Sequence, residues 1–241
     1  MTGCALSGVP QGPYKPASLT VRIAMSDYAV QRFNMVETQV RPNDVTDPRI
    51  HAAMGSVARE RFVPTARRAI AYADLPVEIA QGRYLPDPRT FGKLLQLAGV
   101  QATDKVLDVA CGTGYSSVVI AHLAKSVVAL EQDADLVRMA SDLVAASGAS
   151  NVTVVQGGLT EGCKTKAPFD VIFINGSVEA VPDSLLNQLA EGGRLAAIVR
   201  QGTQGRAQLF VREKGGIGSR EDFDSGTPLL TGFRKVVGFV F

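Results

Sequence analysis

The residues with the strongest chemical pattern lie between Val106 and Glu131. Val106-Leu107-Asp108-Val109 is an apolar run interrupted by one acid, and it leads directly into Ala110-Cys111-Gly112-Thr113-Gly114-Tyr115. Glycine lets backbone turn tightly and approach a ligand closely, so a strand that enters such a turn and leaves as a helix is a nucleotide-type binding element. The G-x-G pair alone is weak, because a ligand-free strand-to-helix turn uses the same residues. Val127-Val128-Ala129-Leu130-Glu131 adds a second strand that ends in a carboxylate about 20 residues past the turn, where it can accept both hydroxyls of a ribose. The third glycine of the dinucleotide fingerprint is replaced by Ser117, which argues against hydride transfer. Cys111 offers a thiol near a helix N-terminus, but a small residue lining the pocket is the favoured reading. His51 and His122 sit singly on predicted helices and receive no role.

Asp108-x-Ala110-x-Gly112-x-Gly114 resembles the class I methyltransferase signature, with Ala110 in place of its first glycine. Four segments resemble the protein-L-isoaspartate O-methyltransferase family over roughly residues 35 to 200. The first is Met35-Val36-Glu37 with Val45-Thr46-Asp47-Pro48-Arg49-Ile50 and Ala53-Met54. The second is Arg59-Glu60-Arg61-Phe62-Val63-Pro64 followed by Ala71-Tyr72-Ala73-Asp74-Leu75-Pro76. The glycine turn is the third, and Val181-Pro182 through Leu185-Leu186, Gln188-Leu189 and Gly192-Gly193-Arg194-Leu195 the fourth. The resemblance implies S-adenosylmethionine as cofactor, with Asp108 near its methionine amino group and Gly112 and Gly114 near its methionine and ribose portions. It extends the cofactor-binding set to Ala110, Cys111, Tyr115, Glu131, Gln132, Gly158 and Leu159. The implied acceptor is a carboxylate of isoaspartyl residues in proteins or peptides.

Two departures bear on the site. The family's Ser-Gln-Pro, whose serine lies by the substrate carboxylate, reads Pro86-Asp87-Pro88, so a hydroxyl is missing. Asp87 either faces the site and repels an acceptor carboxylate or occupies a Pro-bounded surface turn, and both readings stand. Arg83, Tyr84 and Arg89 flank this stretch; Asp87, Arg83 and Tyr84 are the substrate-side candidates. The family's Gly-Asp-Gly reads Gly157-Gly158-Leu159, which removes the acid that bonds the adenine amino group and leaves Thr160 or Glu161 as replacements. Three functions follow: an isoaspartyl methyltransferase, a relative with a different small or cationic acceptor, or a non-enzymatic cofactor-binding protein. Glu131 argues against the last.

These residues need a scaffold. Apolar runs at Lys105–Val109, Val127–Leu130, Val152–Val155, Phe169–Ile174 and Arg194–Val199 alternate with helical stretches, which argues for a Rossmann-like, doubly wound α/β sheet of seven strands, mostly parallel. Helical spacing predicts helices over Ser26–Val40, Asp47–Arg59 with Asp47 as N-cap, Pro88–Ala98 stopped by Gly99, and Ser116–Leu123. Residues Tyr72–Pro88 read as irregular chain or a short hairpin, and Gln208–Arg212 with Arg234–Phe241 as an antiparallel hairpin closing the sheet edge. The division expected is a disordered extension over 1–25, a helical lead and substrate-side loop over 26–100, and a cofactor-binding domain over 101–241, with 26–241 one unit.

The 25 basic and 23 acidic residues among 241 leave a net charge of +2, which implies neither nucleic acid nor a membrane surface as partner. Cys4, Cys111 and Cys163 are widely spaced and form no metal cluster, so free thiols and a cytoplasmic location are expected.

Overall fold

Asp47 and Asp87 each begin a helix with proline at its first position, and these two starts set out the N-terminal third of the computed structural model, which describes residues 23–234. Helix α1 (Ile23–Met35) runs into a wide π turn, Val36–Val40, before Pro42, which has no N–H to extend it. Helix α2 (Pro48–Ser56) follows its N-cap Asp47, whose side chain accepts from the Arg49 N–H. It ends three residues before the expected Arg59, because Val57 is extended and Arg59–Phe62 form a 3-10 turn that turns Arg59 and Phe62 inward. Strands β1 (Val77–Ala80) and β2 (Arg83–Leu85) pair as an antiparallel hairpin, the second of the two readings for that stretch. Helix α3 (Pro88–Ala98) ends at Gly99, which takes the left-handed conformation (φ 59°) as a terminating glycine does.

Strand β3 (Lys105–Val109), helix α4 (Tyr115–Ala121), strand β4 (Ser126–Glu131), helix α5 (Ala134–Ala146), strand β5 (Val152–Gln156), strand β6 (Phe169–Val178), the one-turn helix α6 (Asp183–Leu186) and strand β7 (Leu189–Gln201) complete the alternating part. The seven-stranded sheet has the order β5-β4-β3-β6-β7-β8-β9, where β8 is Gln204–Glu213 and β9 is Gly216–Ser225. Pairing is parallel from β5 to β7 and antiparallel beyond.

The closing hairpin differs from expectation in its second strand. The partner of β8 is β9, drawn from the Gly-rich polar segment read as a connection, and joined through Lys214-Gly215 with Gly215 at φ 97°. An edge strand has one unpaired, solvated side, so its polar residues Arg220, Asp222 and Asp224 suit it better than an apolar run would. Residues 235–241 of the expected Arg234–Phe241 strand, residues 1–22 of the expected extension, and Cys4 lie outside the described residues.

The central strands are buried on both faces, and successive residues alternate between two cores. Val106, Val127, Val171, Phe173, Ala196 and Ile198 join the core under α2, α3, α4 and α5. Leu107, Val109, Val128, Leu130, Ile172, Ile174, Leu195 and Ala197 face a second core closed by Leu159, Cys163, Leu185, Leu230 and Phe233. The second face is thus covered chiefly by loops. Residues 228–230 dock at the end of β6: the Ser177 N–H donates to Pro228 O at 3.0 Å and the Leu230 N–H to Ser177 O at 2.8 Å. A side chain on Gly176 would collide with Leu230 at 2.4 Å.

Arg194 explains why the Gly-Gly-Arg stretch has its form. Its guanidinium donates to the carbonyls of Ala98 and Gly99, both at 2.5 Å, and to Asp104 at 2.6 Å, binding the end of α3 to the sheet. A Cβ on the preceding Gly193 would stand 2.8 Å from Ala190 O.

Candidate active site

The chain winds from β3 to β5 in one direction and returns through β6 in the other, so the crevice at the C-terminal ends of β3 and β6 is the topological switch point where ligands bind in such sheets. Ala110 (φ 61°), Gly112 (φ 58°) and Gly114 (φ 93°) are all left-handed there. The conformation is open to glycine but costs an L-residue roughly 1–2 kcal/mol. Ala110 bears that cost where the resemblance places a glycine, and it is held by burial and by the adjacent bond from Cys111 N–H to Leu130 O at 3.1 Å.

Glu131, at the end of β4, is fully buried and faces this turn. Its Oε2 accepts from the Gly112 N–H at 2.9 Å, and Oε1 from the N–H groups of Gln132 at 2.8 Å and Asp133 at 3.1 Å. Arg83 completes the arrangement, its Nη1 and Nη2 each 2.6 Å from one carboxylate oxygen. This substrate-side candidate therefore lies on Glu131, the carboxylate read from the sequence as a ribose acceptor. Gln132 contributes its backbone and leaves its side chain exposed.

Asp108 is also fully buried. Its Oδ2 accepts from Ser116 Oγ at 2.7 Å and Ser117 Oγ at 2.5 Å, and Oδ1 from Asn175 Nδ2. Burial raises its pKa from 3.8 to about 6; the bonds from Ser117, Ser116 and Asn175 oppose the rise, and the Glu131 charge adds to it. Asp108 thus serves as the tie between β3, β6 and the start of α4, with both oxygens already engaged. The Cys111 thiol is pushed well above its usual range by burial and by the charges of Asp108 and Glu131, which keeps it neutral.

Other expected positions separate from the cleft. The Tyr115 side chain lies in the first core, its ring 5.6 Å from those of Phe62 and Phe91, because the helix start turns it away from the glycine loop. Gly158 is exposed, whereas the Leu159 side chain belongs to the second core. Of the two replacements considered for the missing acid, Glu161 pairs with Lys164 at 3.4 Å in solvent, and Thr160 O accepts from Ser184 Oγ at 2.5 Å. Tyr84 is half-buried opposite Glu78 in the hairpin. Asp87 caps α3, its Oδ1 accepting from the Thr90 N–H at 2.8 Å, a role in the Pro-bounded turn.

His51 bonds Val45 O at 2.7 Å, and His122 lies 3.4 Å from Ser56 Oγ, both away from the turn. Among the described residues no helix is long and apolar enough to cross a membrane.

Sequence reasoning gave no role to Ser116, Ser117, Asn175 or Arg59. Ser117 carried a signal, since it fills the place of the absent third glycine. Arg59 is fully buried, donates to Ala71 O at 2.7 Å and Pro86 O at 2.5 Å, and sits with Cζ 4.9 Å from the centre of the Tyr115 ring. Burial lowers its pKa and Tyr115 counteracts that. It holds the loop entering α3 from within, and no spacing rule reveals a tie to carbonyls 12 and 27 residues away.

The chain matches, over residues 31–224, the family model described as protein-L-isoaspartate(D-aspartate) O-methyltransferase. A protein-L-isoaspartate O-methyltransferase of Koribacter versatilis (strain Ellin345) is 35% identical over 190 residues, or 79% of this chain and 85% of the relative. Another, from Synechococcus sp. (strain JA-2-3B'a(2-13)), is 34% identical over 210 residues, 85% of this chain and 84% of its own. A solved structure of a protein-L-isoaspartate O-methyltransferase has the same fold, with a TM-score of 0.71 at 23% identity over 85% of this chain and 66% of that one. A Plasmodium falciparum protein solved in complex with S-adenosyl-L-homocysteine has a TM-score of 0.72 at 22% identity, over 83% of this chain and 98% of its own.

Proposed function

Because the chain belongs to the protein-L-isoaspartate(D-aspartate) O-methyltransferase family, we propose that it transfers a methyl group from S-adenosylmethionine to the carboxylate of isoaspartyl residues in proteins or peptides, a protein-repair activity of the cytoplasm. The observation that carries the reading is Glu131, a fully buried carboxylate at the end of β4 that faces a left-handed glycine turn. The residues fit the cofactor: a carboxylate for a diol, a turn whose backbone approaches closely, and the start of α4 beside it. When bound, S-adenosylmethionine supplies an electrophilic methyl group on a cationic sulfonium.

The protein's own contribution is alignment and exclusion of water. A carboxylate acceptor with a pKa of about 4 is already ionised at neutral pH, so no general base is required. Holding donor and acceptor in line in a desolvated cleft can supply several kcal/mol of barrier reduction. Arg59 fixes the acceptor loop through Pro86 O, and Asp108 fixes the start of α4 against β3 and β6. Asp87 directs one carboxylate oxygen to the α3 cap, which supports its reading as a turn residue. The missing hydroxyl at Pro86 is the one feature that favours a second reading, a small-molecule acceptor on the same scaffold.

The test is transfer of labelled methyl to an isoaspartyl peptide and to its aspartyl counterpart. Selective labelling of the first is expected, and Glu131→Gln should abolish most of it by weakening cofactor binding. Cofactor binding with labelling of neither peptide would replace this reading with the small-molecule one.

A further inference from the structure

Glu131 has no room left for a ribose while Arg83 stays in place. Its Oε1 takes donors from Arg83, Gln132 and Asp133, and its Oε2 from Arg83 and Gly112. A carboxylate oxygen offers about two lone-pair directions, so both are filled. The three N–H donors come from the backbone that forms the site. Arg83 comes from elsewhere, from the two-stranded β1–β2 hairpin 48 residues earlier, with Gln81-Gly82 at its tip. A two-stranded ribbon is only marginally stable on its own, which makes this donor the removable one.

The geometry is that of a substitute. A guanidinium presents two parallel N–H bonds to two carboxylate oxygens, and a cis-diol presents two O–H bonds to the same pair. From the same hairpin, Ile79 Cδ1 reaches to 2.5 Å from the place a Cβ on Gly112 would take, so two side chains of one ribbon lie on the two halves of the cofactor site. We propose that Arg83 is a built-in stand-in for the ribose of S-adenosylmethionine, a latch that the cofactor must displace. The proposal rests on the methyltransferase reading of the site and adds its regulation. The latch keeps a buried carboxylate paired while the site is empty, and it lowers apparent cofactor affinity by the fraction of molecules that are latched. It also links cofactor loading to the acceptor side, since β2 runs through Leu85 directly into Pro86-Asp87.

The experiment is calorimetric titration of S-adenosylhomocysteine into the full chain and its Arg83→Met and Arg83→Lys variants, with melting curves of each, free and loaded. Arg83→Met should bind on the order of tenfold to a hundredfold more tightly than the parent. Its free form should melt lower than the parent, and S-adenosylhomocysteine should raise its melting temperature by more. Arg83→Lys keeps a cation without the fork, should gain less, and carries the test if the methionine variant does not fold. Variants with native circular dichroism that bind no tighter than the parent, or more weakly, would overturn the latch and make Arg83 a permanent support of Glu131. Failure of the methyltransferase reading itself has another signature, absence of binding heat from the parent and both variants; binding by the variants alone would support the latch in its strongest form.

Discussion

Asp108→Asn should make the protein more stable at neutral pH, and by an amount that depends on pH in a defined way. Burial holds the Asp108 pKa at about 6 in the folded protein against 3.8 for the free side chain. Between those values the folded chain keeps a proton that the unfolded chain has lost, so stability falls as pH rises. The contribution is whole below about pH 4, is lost progressively up to about pH 6, and is flat beyond that. At about 1.4 kcal/mol per pH unit, the span from 3.8 to about 6 is worth about 3 kcal/mol. Asparagine keeps the shape and an acceptor for Asn175, and the hydroxyls of Ser116 and Ser117 can rotate to accept from its amide. Urea denaturation of both proteins at several pH values between 4 and 7.5 isolates the effect, because other acids titrate alike in each. The stability difference, variant minus parent, should grow by about 2.5 kcal/mol across that range. A constant difference would refute the reasoning, and a difference that shrinks with pH would mean that the three donors outweigh desolvation.

Gly112→Ala forces an L-residue into a left-handed position against Ile79 and should cost about 1–2 kcal/mol in chemical denaturation, with weaker S-adenosylhomocysteine binding by calorimetry. Arg59→Lys should destabilise by roughly 2–3 kcal/mol, because one ammonium cannot span the carbonyls of Ala71 and Pro86, and should raise the peptide KM more than it lowers kcat. Asp87→Ala should lose about 1 kcal/mol of helix-cap stability by thermal melt. Asp87→Asn should retain the cap and leave methyl transfer unchanged; a large rise in its rate would mean that the charge faces the acceptor after all.

The sequence reported some of this because certain residues act locally. Asp47 with Pro48, Pro88, Gly99, and the apolar runs of β3 to β7 carry their structural meaning within a few positions, and the helix starts, the α3 end and the sheet followed from them, whereas Asp87 as the α3 cap did not. The left-handed turn was legible for the same reason, even with alanine at Ala110. What escaped depends on partners distant in sequence. Arg83 reads as a substrate-side cation until the fold sets it on Glu131, and Ser117 reads as a missing glycine until Asp108 lies beneath it. Strand β9 escaped because exposed edge pairing needs no apolar pattern, so its glycines and charges resemble a loop.

The docking of residues 228–230 on β6 also sets an order of events during synthesis. Glu131 and the glycine turn leave the ribosome before Val171, Phe173, Ala196 and Ile198, which the first core also needs. Ile172 and Ile174 face the other way, and their cover includes Leu230 and Phe233, which are translated more than fifty residues later. Until then that face of the sheet is covered only in part, by Leu159, Cys163 and Leu185, so apolar surface stays exposed while β7, β8 and β9 are being made. The end of β6 acquires this cover only when the segment arrives, which makes it among the last parts of the described chain to be finished.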